Sequence, residues 1–62
     1  MYIYSTTEQL KKYVDEQICL HPEYKSEIME FYQLCLDEIE EGGSVENECS
    51  LCESSIIELI HG

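Results

Sequence analysis

Four cysteines, at positions 19, 35, 49 and 52, hold most of the chemical potential of this 62-residue chain. Cys49-x-x-Cys52 has the spacing of half a zinc site, but no second Cys or His pair follows at the distance that would complete it. A thiol redox pair would want its first cysteine at a helix N-terminus beside a βαβ unit, where the helix dipole lowers its pKa. Here Val45, Cys49, Cys52, Ile56, Leu59 and Ile60 recur at three and four residues, which places both thiols inside a helix on its apolar face. Cys35 lies on the apolar face of the preceding segment at a similar height. The pattern therefore predicts Cys35, Cys49 and Cys52 as small buried hydrophobes, with a zinc or redox module built from the same three as the alternative. Cys19 stands roughly 20 Å from Cys35 along the middle helix and joins no common metal site with the other three. His21 and His61 are expected near Cys19, as another incomplete ligand set.

Other catalytic constellations are missing too. Fourteen Asp and Glu residues are present, all expected on solvent-facing helical positions, so no apolar cleft is implied that would raise one pKa and make a general acid. Gly42-Gly43 is followed by Ser44 and then by Glu46 and Glu48, which would repel phosphate from a helix N-terminus. The acids also lack the Asp/Asn-Gly spacing of a calcium loop. The expectation is a non-enzymatic protein without metal or cofactor.

Charge narrows the remaining classes. Fourteen acids against three Lys and no Arg give a formal net charge of −11, which opposes approach to nucleic acid or anionic lipid and points to a basic protein surface as partner. With 44% hydrophobic residues, five Tyr and one Phe, the chain has enough apolar material to fold despite that charge. A chain of this length buries only about 60% of the surface its unfolded form exposes, so residues 1–62 are read as one acidic helical domain with one modest core. No apolar run approaches the roughly 18 residues of a membrane span, and MYIYSTTEQL lacks the basic and apolar regions of a signal peptide. A cytoplasmic location is expected, where disulfides are rare and the even cysteine count is no disulfide framework.

The positioning elements follow from start and stop signals. Ser5-Thr6-Thr7-Glu8, or the overlapping Thr6 and Gln9, offers a capping box, and Leu10, Tyr13, Val14 and Ile18 continue as an apolar face, predicting helix 1 over about 6–19. Pro22, with Glu23 behind it, opens helix 2, whose face is Tyr24, Ile28, Phe31, Tyr32, Cys35 and Ile39 and which Gly42-Gly43 stops. Ser44 caps helix 3. Short connections make successive helices antiparallel, so the fold class is all-α, a three-helix up-down-up bundle with helix 2 in the middle and longest. Tyr2-Ile3-Tyr4 is expected as a short extended arm covering the end of helix 2.

On helix 2, Glu23, Glu27, Glu30, Asp37 and Glu41 fall on one stripe about 80° wide when projected at 100° per residue, with Leu34 in its middle. On helix 3, Leu51 leaves the main apolar face, close to Glu48 and Glu58, at nearly the height of Leu34. Two apolar residues among acids make these seven residues, Glu23, Glu27, Glu30, Leu34, Asp37, Glu41 and Leu51, the candidate partner-binding patch. Met29, Leu36 and Ile57 flank the core on another side and either extend it or serve a homodimer. The leading function is to bind and modulate a basic partner such as a nucleic-acid-handling protein, in the strong form by DNA mimicry, with no direct binding of nucleic acid or membrane.

The opening Met1-Tyr2-Ile3-Tyr4-Ser5 and, above all, LCLDEIEEGGSVENECSLCESSIIELI from Leu34 to Ile60 resemble the small acidic accessory proteins of large lytic tailed bacteriophages. The resemblance covers the last half of the chain. It implies an auxiliary protein made during infection that binds a host or phage protein, for example as an inhibitor. It carries no catalytic motif and assigns no site residue.

Overall fold

The computed structural model describes residues 6–62, and within them every regular element is helical. Helix α1 spans Thr7–Leu20, α2 spans Lys25–Glu40 and α3 spans Val45–His61, with a 3-10 turn at Pro22–Tyr24 between the first two. This is the three-helix up-down-up bundle that the apolar faces predict. The expected arm at Tyr2-Ile3-Tyr4 lies outside the described residues.

Of the two overlapping start signals, the second is used. The Gln9 backbone N–H donates to Thr6 Oγ1 at 3.4 Å, and the Thr6 N–H donates to Gln9 Oε1 at 3.2 Å, so two donors with no helical partner are satisfied reciprocally. Thr6 is thereby the cap, and α1 runs one residue later at each end than the expected 6–19. Ser44 performs the same service for α3, its hydroxyl accepting from the Asn47 N–H at 3.4 Å.

Helix 2 departs from expectation at its start. Pro22 sits in the opening turn as predicted, but the Tyr24 N–H bonds back only three residues, to the His21 carbonyl at 3.0 Å, so the first turn is 3-10 and the α-helix begins at Lys25. At 16 residues α2 is one shorter than α3, and the expectation that it is the longest helix is corrected. Its end is a Schellman arrangement. The Gly43 N–H reaches the Glu38 carbonyl at 2.8 Å and the Gly42 N–H reaches the Ile39 carbonyl at 3.0 Å, with Gly42 at φ +110°. A side chain at Gly42 would be strained by that angle, and a Cβ at Gly43 would come 2.8 Å from the Glu38 carbonyl oxygen. Both glycines are thus required for the reversal that brings α3 back along α2.

The core is Leu10 and Val14 from α1, Ile28 and Cys35 from α2, and Cys49, Cys52 and Ile56 from α3. Half-buried Tyr13, Tyr24, Phe31, Tyr32, Ile39 and Leu59 are among the side chains that close around it. Among the described residues, three of the seven that are buried are cysteines, which fill the space between α2 and α3 where two helices approach most extensively. Among the described residues no buried side-chain nitrogen or oxygen lacks a partner, and no helix is long and apolar enough to cross a membrane.

Candidate acidic groove between the second and third helices

Neighbouring ridges of α2 and α3 leave a groove of about 120 Å³ between them. Leu34 and Leu51 both line it, over Phe31, Cys35 and Cys52, with Glu38, Glu48 and Ser55 completing the lining. Leu34 and Leu51 remain 55% and 56% exposed, so most of each side chain is presented to solvent. Their positions follow from helical phase. Leu34 is 100° from Cys35 and Leu51 is 100° from Cys52, so each leucine stands one residue's rotation outside a buried thiol. Sequence projection placed the two leucines at similar heights, and they do share one groove.

The five carboxylates of the expected stripe are all exposed, but they do not form one continuous α-helical row. Glu27, Glu30 and Asp37 lie on α2 proper. Glu23 belongs to the 3-10 turn and Glu41 is the cap residue beyond the last helical position, so both ends leave the 100° phase on which the stripe was projected. The Gln33 amide donates to Asp37 Oδ1 at 3.1 Å, fixing that carboxylate on the α2 surface. Glu41 lines a shallow recess with Asp37 and Glu40.

Two of the residues nearest the groove were not on the sequence-derived patch. Glu38 projects only 20° beyond Glu27 on the helical wheel, next to Leu34, and the same projection would have found it. Glu48 is half-buried rather than fully solvent-facing, as is Glu53, which corrects the expectation that all fourteen acids lie on open positions. Glu48 packs over the reversal, with its Cγ 3.0 Å from where a Cβ on Gly43 would stand, so it is held against the groove instead of trailing into water. Glu53 faces α1, where its charge, after burial, helps raise the Tyr13 hydroxyl above its usual pKa.

The electrostatics of this end are one-sided. Asp37, Glu38, Glu40 and Glu41 crowd the last turn and cap of α2, where the helix dipole is already negative and no basic residue is present. Lys11 and Lys12, two of the three lysines, are on α1. Carboxylates at a helix C-terminus destabilise it, and like charges four residues apart, such as Asp37 and Glu41, add to the penalty. A cationic surface laid on this end would relieve both.

Beneath the groove, Cys35, Cys49 and Cys52 are buried free thiols, and Cys19 is exposed. The Cys35 side chain interacts with those of Cys49 and Cys52. Burial, reinforced by the neighbouring thiols, pushes Cys35 up to about 12, and burial pushes Cys52 up to about 11; Cys49 is raised as well. Such thiols stay protonated at neutral pH and make poor nucleophiles. Among the described residues no group of three or more His, Cys, Asp or Glu side chains is arranged to hold a metal ion, which argues against the zinc alternative. In the folded protein at pH 7, a maleimide should label Cys19 promptly and the other three slowly. Peptide mapping of the labelled protein checks this, and equal labelling of Cys49 or Cys52 with Cys19 would contradict the buried placement.

The remaining flank is divided. Met29 and Ile57 are exposed, whereas Leu36 is half-buried. No family model, no characterised protein and no solved structure matches the chain.

Proposed function

We propose that this protein is a non-enzymatic binding module that docks the α2–α3 face onto a basic partner protein and modulates it in the cytoplasm. The observation that carries this reading is the shared groove of Leu34 and Leu51, two leucines more than half exposed and set among Glu38, Glu48 and the α2 carboxylates. Interfaces draw their affinity from apolar anchors that lose water on binding, while surrounding charges set encounter rate and partner choice. An apolar centre with an acidic surround therefore selects a surface with the reverse pattern, an apolar projection among Lys and Arg.

Nucleic-acid-handling proteins of the host or of a phage are the partner class with such basic faces, in keeping with the resemblance to phage accessory proteins. The described residues extend 31 Å along their longest axis. Duplex DNA of that length carries about 18 phosphates, against a net charge of −11 here, so any imitation of DNA would cover a short segment and depend on the apolar contact as well.

Capture on immobilised protein tests the reading when three baits are compared by quantitative mass spectrometry. These are the wild type, the variant Leu34→Ala/Leu51→Ala, and the variant Glu27→Gln/Glu30→Gln/Asp37→Gln. A basic protein retained by the wild type and depleted from both variants is the expected result. Identical retention on all three baits would show that this face is only a solvated surface.

A further inference from the structure

We infer that the α2–α3 groove receives a single apolar side chain, of Leu or Phe size, carried on a Lys/Arg-rich segment of the partner. This rests on the binding function proposed above and specifies what enters the groove. Its volume of about 120 Å³ lies well below the ~300–1,000 Å³ of a small-molecule pocket, and is closer to the ~150 Å³ cavity that holds one benzene ring. One side chain fills it. Leu34 and Leu51 supply opposing apolar walls, and Phe31, Cys35 and Cys52 supply a floor whose aromatic ring and soft, polarisable sulfurs accept either an aliphatic or an aromatic group.

Charge selects the chain that carries this side chain. Glu38 and Glu48 line the groove from opposite helices at the end nearest the Gly42-Gly43 reversal, so residues that flank the inserted group at that end meet two carboxylates. Asp37, Glu40 and Glu41 continue the negative surface past one end. A second copy of this chain would bring its own −11 against these acids, and a lipid surface or nucleic acid would bring phosphates. Only a cationic segment is complementary to both the groove and its surround.

Synthetic peptides test the assignment on the full chain. The first has alternating Lys and Ala around a central Leu, the second has Ser in place of that Leu, and the third has Glu in place of every Lys. Titration followed by amide chemical shifts at low salt gives both affinity and location. The Leu peptide should bind on the order of tenfold more tightly than the Ser peptide, as removal of one leucine-sized side chain from water implies. Its shifts should centre on Leu34, Cys35, Leu51 and Ser55, and the advantage should vanish in Leu34→Ser, a change at an exposed position that leaves the core intact. Equal binding of the Leu and Ser peptides, with shifts spread over the carboxylates, would overturn the groove assignment while leaving the basic-partner function standing. Failure of both Lys peptides to bind, or binding of the Glu peptide as tight as that of the Leu peptide, would overturn both. Shifts confined to Met29 and Ile57 would also overturn the groove assignment.

Discussion

Ile56→Ala should leave the protein largely unfolded, or so close to it that about 2 M urea completes the transition. Ile56 is fully buried, and together with Leu10 and Ile28 it is among the largest side chains wholly removed from solvent. Truncating a buried Ile to Ala costs about 2–5 kcal/mol through lost transfer energy and the cavity left behind. A chain of 62 residues has about 3–9 kcal/mol of stability in total. With seven buried residues and no second cluster among the described residues to share the loss, the substitution removes a large part of the whole. Ile56→Val, at about 0.5–1.5 kcal/mol, should remain folded. Urea titrations followed by far-UV circular dichroism compare the three proteins. An Ile56→Ala midpoint equal to the wild type would mean that α3 does not pack through this face.

Alkaline unfolding is the second large effect expected. Cys35 and Cys52 are raised from 9.0 to about 12 and about 11, first of all by burial, and Cys49, Tyr13 and Tyr32 are raised for the same reason. The folded state thus disfavours the anion. Below pH 9 the thiols are protonated in both states and their contribution is fully present; as pH rises toward 12 the unfolded chain ionises first and gains stability relative to the fold. Each thiol can add a slope of up to about 1.4 kcal/mol per pH unit in that window. Stability measured by urea titration should be flat from pH 7 to 8.5 and fall steeply above 9. In Cys35→Ala the slope above pH 9 should be shallower, even though neutral stability drops through the small cavity. A wild-type slope equal to that of the variant would remove the thiols from the account.

The two overlapping caps at Ser5 to Gln9 show how far local sequence reaches. Both satisfy the same pattern, and only the three-dimensional path of the chain selects Thr6. The apolar faces of all three helices and the burial of Cys35, Cys49 and Cys52 were legible because a bundle this small has one inside, and residues at three- and four-residue spacing must share it. The 3-10 turn after His21 was not legible, since Pro22 fits the first turn of either helix type and the choice depends on how Tyr24 reaches the core. The shared groove of Leu34 and Leu51 could be anticipated from helix phase and antiparallel register. Its rim could not be read completely: Glu48 is drawn in by the tight reversal at Gly42 and Gly43, a tertiary contact that periodicity does not encode.

The most direct measurement of the central claim is the pair of rate constants for binding the captured partner, taken over a range of salt concentrations. Exposed carboxylates act mainly on encounter, whereas a desolvated anchor acts mainly on escape. In Glu27→Gln/Glu30→Gln/Asp37→Gln the association rate should fall and its salt dependence flatten, with dissociation little changed. In Leu34→Ala the association rate should hold while dissociation speeds up by about 5- to 30-fold, corresponding to about 1–2 kcal/mol. Wild-type rates in both variants would contradict the claim that the acidic α2–α3 face is where this protein binds.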